Sequence, residues 1–233
     1  MLDHLQTGPA LIDQVHDQLV EAIASGDLAP GQRLTQESVA AMLGVSRQPV
    51  SHALQILKRR GLLIEHGRRG LAVAPLERDR ITNLYQVRAM LDGLAARLAA
   101  EHCRNGTAPR GDIDALEQAL HAGLALCSDA ETKELVSADV AFHAALHRLS
   151  GNPEIARTIA EQWPQFMRSM GFVLASRDRY AVIWSEHRAI AESILAGQPE
   201  AAEQRARAHA HGAANKAAAE LPESCSPAAE AAE

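Results

Sequence analysis

Apolar residues recur three and four positions apart through most of this 233-residue chain, the spacing of helices that bury one face. Leu11 to Ser25 reads as one such helix, with Ile12, Val15, Leu19 and Ile23 along its apolar side. Between Thr35 and Gly61 the pattern predicts two short helices. Thr35 caps the first, whose apolar positions are Val39, Met42 and Leu43, and Gly44 turns the chain because it reaches left-handed backbone angles cheaply. Ser46 caps the second, which tolerates Pro49 in its first turn. Val50, Leu54 and Leu57 form its seam, leaving Arg47, Gln48 and Ser51 outward. Two amphipathic helices joined through glycine make an ordinary hairpin, but the dozen residues after them change the picture. Leu62-Leu63-Ile64 and Leu71-Ala72-Val73 are strand-like runs around a Gly67-Arg68-Arg69-Gly70 turn. A helix-turn-helix with an arginine-tipped hairpin at its end predicts a winged helix, whose second helix reads a DNA major groove. Arg68 and Arg69 suit phosphate contact or minor-groove insertion.

After a linker at Leu76-Glu77-Arg78 the helical spacing resumes and predicts six helices, at about 79–102, 112–127, 131–150, 154–175, 179–196 and 199–219. Asn105-Gly106, Gly151-Asn152-Pro153 and Gly197-Gln198-Pro199 break them. The fold class expected is therefore mainly α. An N-terminal winged helix-turn-helix, residues 1–75, precedes an all-α six-helix bundle, residues 76–220. Residues 1–10 read as a loose lead-in and 221–233, rich in Ala, Glu, Ser and Pro, as a disordered tail.

Ionisable residues interrupt the apolar faces of that bundle. One seam runs Leu135, Asp139, Phe142, His143, Leu146; a second Ile183, His187, Ile190, Ile194; a third Ala202, Ala206, His209, Ala213. Asp139 and His143 stand one turn apart and share a face. A single core histidine usually just finds a hydrogen bond, but one carboxylate and three imidazoles on inward faces form a ligand set for a borderline divalent ion, zinc or nickel. His211 falls on the polar side of its helix, and His147 lies nearer the edge of its own. No further inward-facing acid stands out beside this set. Arg88, three residues after Tyr85 and seven after Ile81, is on the apolar face of the first bundle helix. It reads as a snorkelling arginine, as a structural ion pair, or as a guanidinium clamp for a carboxylate. Trp163 and Trp184 are candidates for lining such a pocket or for plain core.

Charge distribution sharpens the division. The formal net charge is −6, yet residues 33–70 carry seven basic against two acidic side chains, while 71–233 carry 16 basic and 22 acidic. Positive charge thus gathers where the DNA-reading motif lies. Cys103, Cys127 and Cys225 are odd in number and form no short-spaced pair, as expected of free thiols in a reducing cytoplasm. No apolar run approaches membrane-spanning length and no signal peptide opens the chain.

The chain resembles the gluconate-repressor (GntR) family of bacterial transcription regulators. The carrying residues are Pro30-Gly31-Gln32-Arg33-Leu34, Gly44-Val45-Ser46-Arg47-Gln48-Pro49-Val50, Ala53-Leu54 and Gly61-Leu62. The resemblance implies DNA contacts from Arg33, Thr35, Ser46, Arg47, Gln48, Ser51, Arg68 and Arg69. One departure is Ser51-His52, where the family usually has Arg-Glu, so the operator sequence does not carry over. Residues 79–219 resemble the ligand-binding (FCD) domain of the FadR subgroup, in the six-helix arrangement of its VanR-like members. That resemblance implies a metal held by Asp139, His143, His187 and His209, and its Tyr-x-x-Arg pattern favours a small organic acid at Arg88 and Tyr85, with Trp184 the expected pocket-lining ring beside them.

Taken together these features predict a transcriptional regulator, a repressor by family habit, that binds a palindromic double-stranded operator as a homodimer. It is expected in the bacterial cytoplasm, at the nucleoid when bound. The competing class is a metal-dependent hydrolase with an accessory DNA-binding head, and a purely structural metal is the third reading.

Overall fold

The structure, a computed structural model, describes residues 11–67, 70–126, 130–174 and 177–221. The chain divides into two compact units, Met1–Pro75 and Leu76–Glu233. The first contains α1 (Leu11–Ser25), β1 (Arg33–Leu34), α2 (Gln36–Leu43), α3 (Arg47–Arg59), β2 (Leu63–His66) and β3 (Gly70–Val73). Its core joins Val15, Leu19 and Ile23 of α1 to Val39 of α2, Val50, Leu54 and Leu57 of α3, and Leu63 and Val73 of the hairpin. Gly44 ends α2 at φ 65°, a left-handed angle that glycine adopts without the Cβ clash other residues suffer. Thr35 caps α2 through a reciprocal pair of bonds with Ser38, so its hydroxyl is committed to the helix start.

Three expectations for this unit need correcting. Met42 is exposed and not part of the core, because α2 is only two turns long and Val39 and Ala40 suffice to bury its inner face. Ser46 occupies the N-cap position of α3 with extended backbone but makes no side-chain cap bond. The sheet is also larger than a hairpin: β1 pairs antiparallel with β3, Arg33 opposite Ala72 and Leu34 opposite Leu71, giving the order β1-β3-β2. Two residues are too short a run to show a strand period. Arg68 and Arg69, at the wing tip, lie outside the described residues.

The second unit is built from α4 (Arg78–Arg104), α5 (Arg110–Ala125), α6 (Thr132–Leu149), α7 (Pro153–Ala160), α8 (Trp163–Leu174), α9 (Arg177–Leu195) and α10 (Pro199–Glu220). The single helix expected over 154–175 is thus two. Pro164 lacks an amide proton and its ring crowds the carbonyl four residues back, at Ala160, where α7 stops. Alanine sets the spacing of the bundle. Ala96, Ala99 and Ala100 of α4 and Ala202, Ala206, Ala214 and Ala217 of α10 are buried in the one core. Close approach is strictest at Gly123, where an added Cβ would lie 1.8 Å from the Trp184 ring. Trp184 is accordingly a packing residue between α5 and α9. Leu221 does not belong with the tail: it is buried, and its carbonyl accepts a 2.7 Å bond from Arg78 Nη2. Residues 1–10, 222–233, Cys127 and Cys225 lie outside the described residues, while Cys103 is half-buried and free, its thiol pushed up by burial. Among the described residues no helix is long and apolar enough to cross a membrane.

Candidate nucleic-acid interface and metal centre

On the first unit, α3 begins with Ser46, Arg47 and Gln48 exposed and Ser51 half-buried one turn on, while Pro49 and Val50 turn into the core. The helix therefore presents its N-terminal turn, the end of a recognition helix that reaches base edges. Arg47 Nη1 lies 2.8 Å from Glu37 Oε1, both exposed, a solvent-screened pair that costs little to break. Ser51 Oγ accepts from Gln36 Nε2 at 3.1 Å, tying α2 to α3. Arg33 is exposed, and its guanidinium comes within 3.8 Å of where a Cβ on Gly67 would stand, alongside the wing turn.

In the second unit α6, α9 and α10 bring Asp139, His143, His187 and His209 together. All four are buried, and one ligand atom from each lies within 4.8 Å of all the others. His187 Nε2 is 3.2 Å from His209 Nε2 and 3.5 Å from Asp139 Oδ1, and His143 Nε2 is 3.7 Å from Asp139 Oδ2. Ligands at about 2.0–2.1 Å from a tetrahedral zinc stand about 3.3 Å apart, so these edges fit a metal with small adjustments. Protonation points the same way. His209 Nδ1 is 2.7 Å from Glu186 Oε2, and an ionised carboxylate only accepts, so Nδ1 carries the proton and Nε2 presents a lone pair. Glu186 is held below the usual carboxylate range: its burial is outweighed by the hydrogen bond and charge of His209 and by Lys216. His143 offers both ring nitrogens, and His187 its Nδ1, without an aligned hydrogen-bond partner among the described residues. Buried nitrogens left so are what a cation and its outer partners satisfy. Exposed His211 takes no part.

Asp92 of α4 corrects the expectation that no further acid points inward. It is 1 % exposed. Its Oδ2 receives Arg88 Nε at 3.1 Å and stands 3.3 Å from His143 Nδ1, and its Oδ1 is 2.7 Å from His147 Nε2. His147 is thus buried rather than near the edge. Burial alone would raise the Asp92 carboxyl, but His143 and Arg88 hold it well below its usual value. The clue in the sequence was present: Asp92 follows Arg88 by one helical turn, on the same face.

Arg88 is fully buried inside an aromatic cage, its guanidinium carbon 5.5 Å from the Tyr85 ring centroid, 5.2 Å from Trp163 and 5.0 Å from Phe166. Desolvation opposes its charge, yet Asp92 and Tyr85 keep its pKa above the ordinary value. Nη2 has no partner among the described residues. Tyr85, its phenol raised by burial, meets Ser169 at 3.1 Å. Arg88, Tyr85, Asp139 and His209 border a cavity of about 20 Å³ completed by Met170, Val173, Leu174, Ile183 and Ala213. That is room for about one water. Trp184 does not border this cavity; it packs on Gly123 and edge-on to His187, while Trp163 touches Arg88 from another side.

A winged helix joined to an all-helical unit defines a DNA-binding transcriptional regulator. Residues 11–73 match the gntR family of bacterial regulatory proteins and residues 83–212 match the FCD domain, so the chain belongs to the GntR family, in its FCD-bearing, FadR-like subgroup. Its relatives are regulators and not enzymes. The HTH-type transcriptional regulator YdhC of Bacillus subtilis is 28% identical over 200 residues, 84% of this chain and 86% of that protein. The HTH-type transcriptional repressor NanR of Citrobacter rodentium is 26% identical over 221 residues, 85% and 82%. Of solved structures, a GntR regulator from Rhodococcus sp. RHA1 superposes with a TM-score of 0.76 at 23% identity, covering 91% of this chain and all of that one. E. coli McbR/YncC gives 0.74 at 18%, covering 87% and 94%. At such identities the structures attest the fold alone.

The polar centre makes the metal-free protein acid-sensitive. Burial first, and the Arg88 charge second, lower His143 from 6.5 to about 4, and burial with the neighbouring histidines lowers His187 well below its ordinary value. The unfolded chain therefore binds more protons than the folded one between those limits. Stability is complete above about pH 6.5 and falls as the pH drops toward 4. Depressed Asp92 extends the loss below its unfolded pKa of about 3.9. In chelator-treated protein the melting temperature of the helical unit should drop across this window, and His143→Gln should flatten part of the drop. A melting temperature constant from pH 6.5 to 4 would contradict neutral, buried imidazoles.

Proposed function

We propose that this regulator senses a small carboxylate through a metal-loaded FCD domain, and that the ligand alters operator binding. Asp139, His143, His187 and His209 would hold a divalent transition metal, zinc or nickel, which supplies a Lewis-acidic centre able to attract an anion. Arg88 would grip the carboxylate bidentately, with Tyr85 beside it. The observation that carries this reading is the convergence of four buried ligand atoms next to a cavity whose other charged wall is Arg88. Because the cavity is about 20 Å³, an organic acid must widen it. Displacement of α8 or α9 on entry is the means by which the ligand would favour one arrangement of the DNA-binding heads over another. A hydrolase is not supported, since the relatives are regulators.

For the metal, elemental analysis of full-length protein purified in zinc-replete medium should find about one ion per chain. Alanine at Asp139, His143, His187 or His209 should lower it, and His211→Ala should not. Wild type that neither carries metal nor binds it on titration removes the reading. Titration calorimetry with a panel of organic acids, with and without metal, separates a sensor from a structural metal, which predicts no ligand heat.

DNA recognition is assigned to α3. Arg47→Ala should weaken operator binding about 5- to 150-fold, since one base contact is worth about 1–3 kcal/mol. Equal affinity of the variant and wild type in a footprint titration would exclude α3 as the reading helix.

A homodimer with a palindromic operator completes the proposal. It is supported by Val87, Met90 and Leu94 of α4, which are 56%, 56% and 41% exposed and lie along one stripe at helical spacing. Such a stripe can pair with its own copy about a two-fold axis. Val87→Asp combined with Met90→Lys should convert a dimer to monomers in sedimentation at micromolar concentration without loss of helicity. An unchanged dimer would place the interface elsewhere.

A further inference from the structure

Asp92 is outside both the proposed ligand set and the cavity lining, yet it touches one member of each. We infer that Asp92 is the internal carboxylate that holds Arg88 when no effector is bound, and that through its Oδ2 it couples metal loading to effector binding. The inference rests on the proposed metal-and-carboxylate function.

The geometry is a competition for one atom. Oδ2 receives Arg88 Nε at 3.1 Å and faces His143 Nδ1 at 3.3 Å, while Oδ1 is engaged by His147 at 2.7 Å. The His143 Nδ1 contact is close but poorly aligned as a hydrogen bond. A cation on His143 Nε2 requires the ring proton to sit on Nδ1, and it makes that N–H a stronger donor. Its acceptor is Oδ2, the atom on which Arg88 Nε also depends. Metal loading therefore draws Asp92 toward His143 and loosens its hold on Arg88. The guanidinium, with Nη2 already unpartnered and 2 % of the side chain exposed, is then free for an external carboxylate. Linkage makes the effect reciprocal: a carboxylate on Arg88 releases Asp92 to orient His143, so effector tightens metal. Asp92, His143 and His147 also lie close enough to form a cation site of their own. Arg88 already supplies positive charge to the same oxygen, so the cluster is an ion-pair hub and Asp92 a positioning residue.

Asp92→Asn keeps the shape and removes the charge. Zinc affinity would be measured by competition with a chromophoric chelator. Acetate, a small carboxylate, would be titrated by tryptophan fluorescence, with and without zinc. Full-length wild type should bind acetate several-fold more tightly when zinc-loaded. Metal-free Asp92→Asn should bind acetate about tenfold more tightly than metal-free wild type and gain little more from zinc. Its zinc affinity should fall about 10–100-fold, the usual cost of losing an outer partner of a ligand. These opposite movements are the signature, because a residue that merely supports the fold would lower both affinities together. A parallel loss, or an undiminished zinc effect on acetate, overturns the role of Asp92. If the asparagine variant does not fold, Asp92→Glu decides. It retains the charge on Arg88, so metal-free acetate binding should stay weak while zinc affinity falls, and wild-type zinc affinity overturns the proposal. Wild type that binds no zinc or no acetate fails the underlying function instead, a result distinct from any of these.

Discussion

Charge neutralisation at Asp92 is the constraint around which the helical unit is arranged. A carboxylate that is 1 % exposed is untenable unless cations and donors surround it. Arg88 from its own helix and His143 and His147 from α6 do so, and each is itself buried. The consequence is a chain of dependence. Arg88 needs Asp92 and the ring cage of Tyr85, Trp163 and Phe166, which positions α8 against α4. His143 faces Asp92 with one nitrogen and Asp139 with the other. Asp139 in turn faces His187, and His187 faces His209. Both ring nitrogens of His143, Nδ1 of His187 and Nη2 of Arg88 nevertheless lack an aligned partner among the described residues.

Small residues make that centre possible. The alanines of α4 and α10 let the two long helices lie close along their length, and Gly123 lets α5 accept the Trp184 ring of α9. Tight packing on those sides leaves the interior polar groups little access to water. Their interactions are consequently strong and their proton affinities far from ordinary, as at His143 and Asp92. The DNA-binding unit follows a different logic. Arg47 and Gln48 stand exposed on an apolar scaffold, and Arg47 makes a surface pairing with Glu37. One unit keeps its charged groups at the surface, while the other gathers them in its interior.

The sequence by itself determined the division into a winged helix-turn-helix and an α-helical unit, and the helical phase that turns Asp139, His143, His187 and His209 inward. Both follow from local periodicity: a residue three or four places from a core leucine shares its face whatever the rest of the fold does. Local backbone chemistry was legible for the same reason at Gly44 and Thr35. Misreadings arose where an element is too short for a period, as at β1 and at Met42 in α2, or where one proline cuts a continuous pattern, as at Pro164. Only the tertiary structure decided which inward groups meet. Asp92 and Arg88 are neighbours on one helix, but the contacts of Asp92 with His143 and His147 of α6, and the pairing of Glu186 with His209, depend on helix crossings that no periodicity encodes. It likewise separated the two tryptophans, sending Trp163 to Arg88 and Trp184 to the gap at Gly123. Which ring fits which gap depends on packing between helices distant in sequence, and volume complementarity of that kind is settled only when the whole core closes.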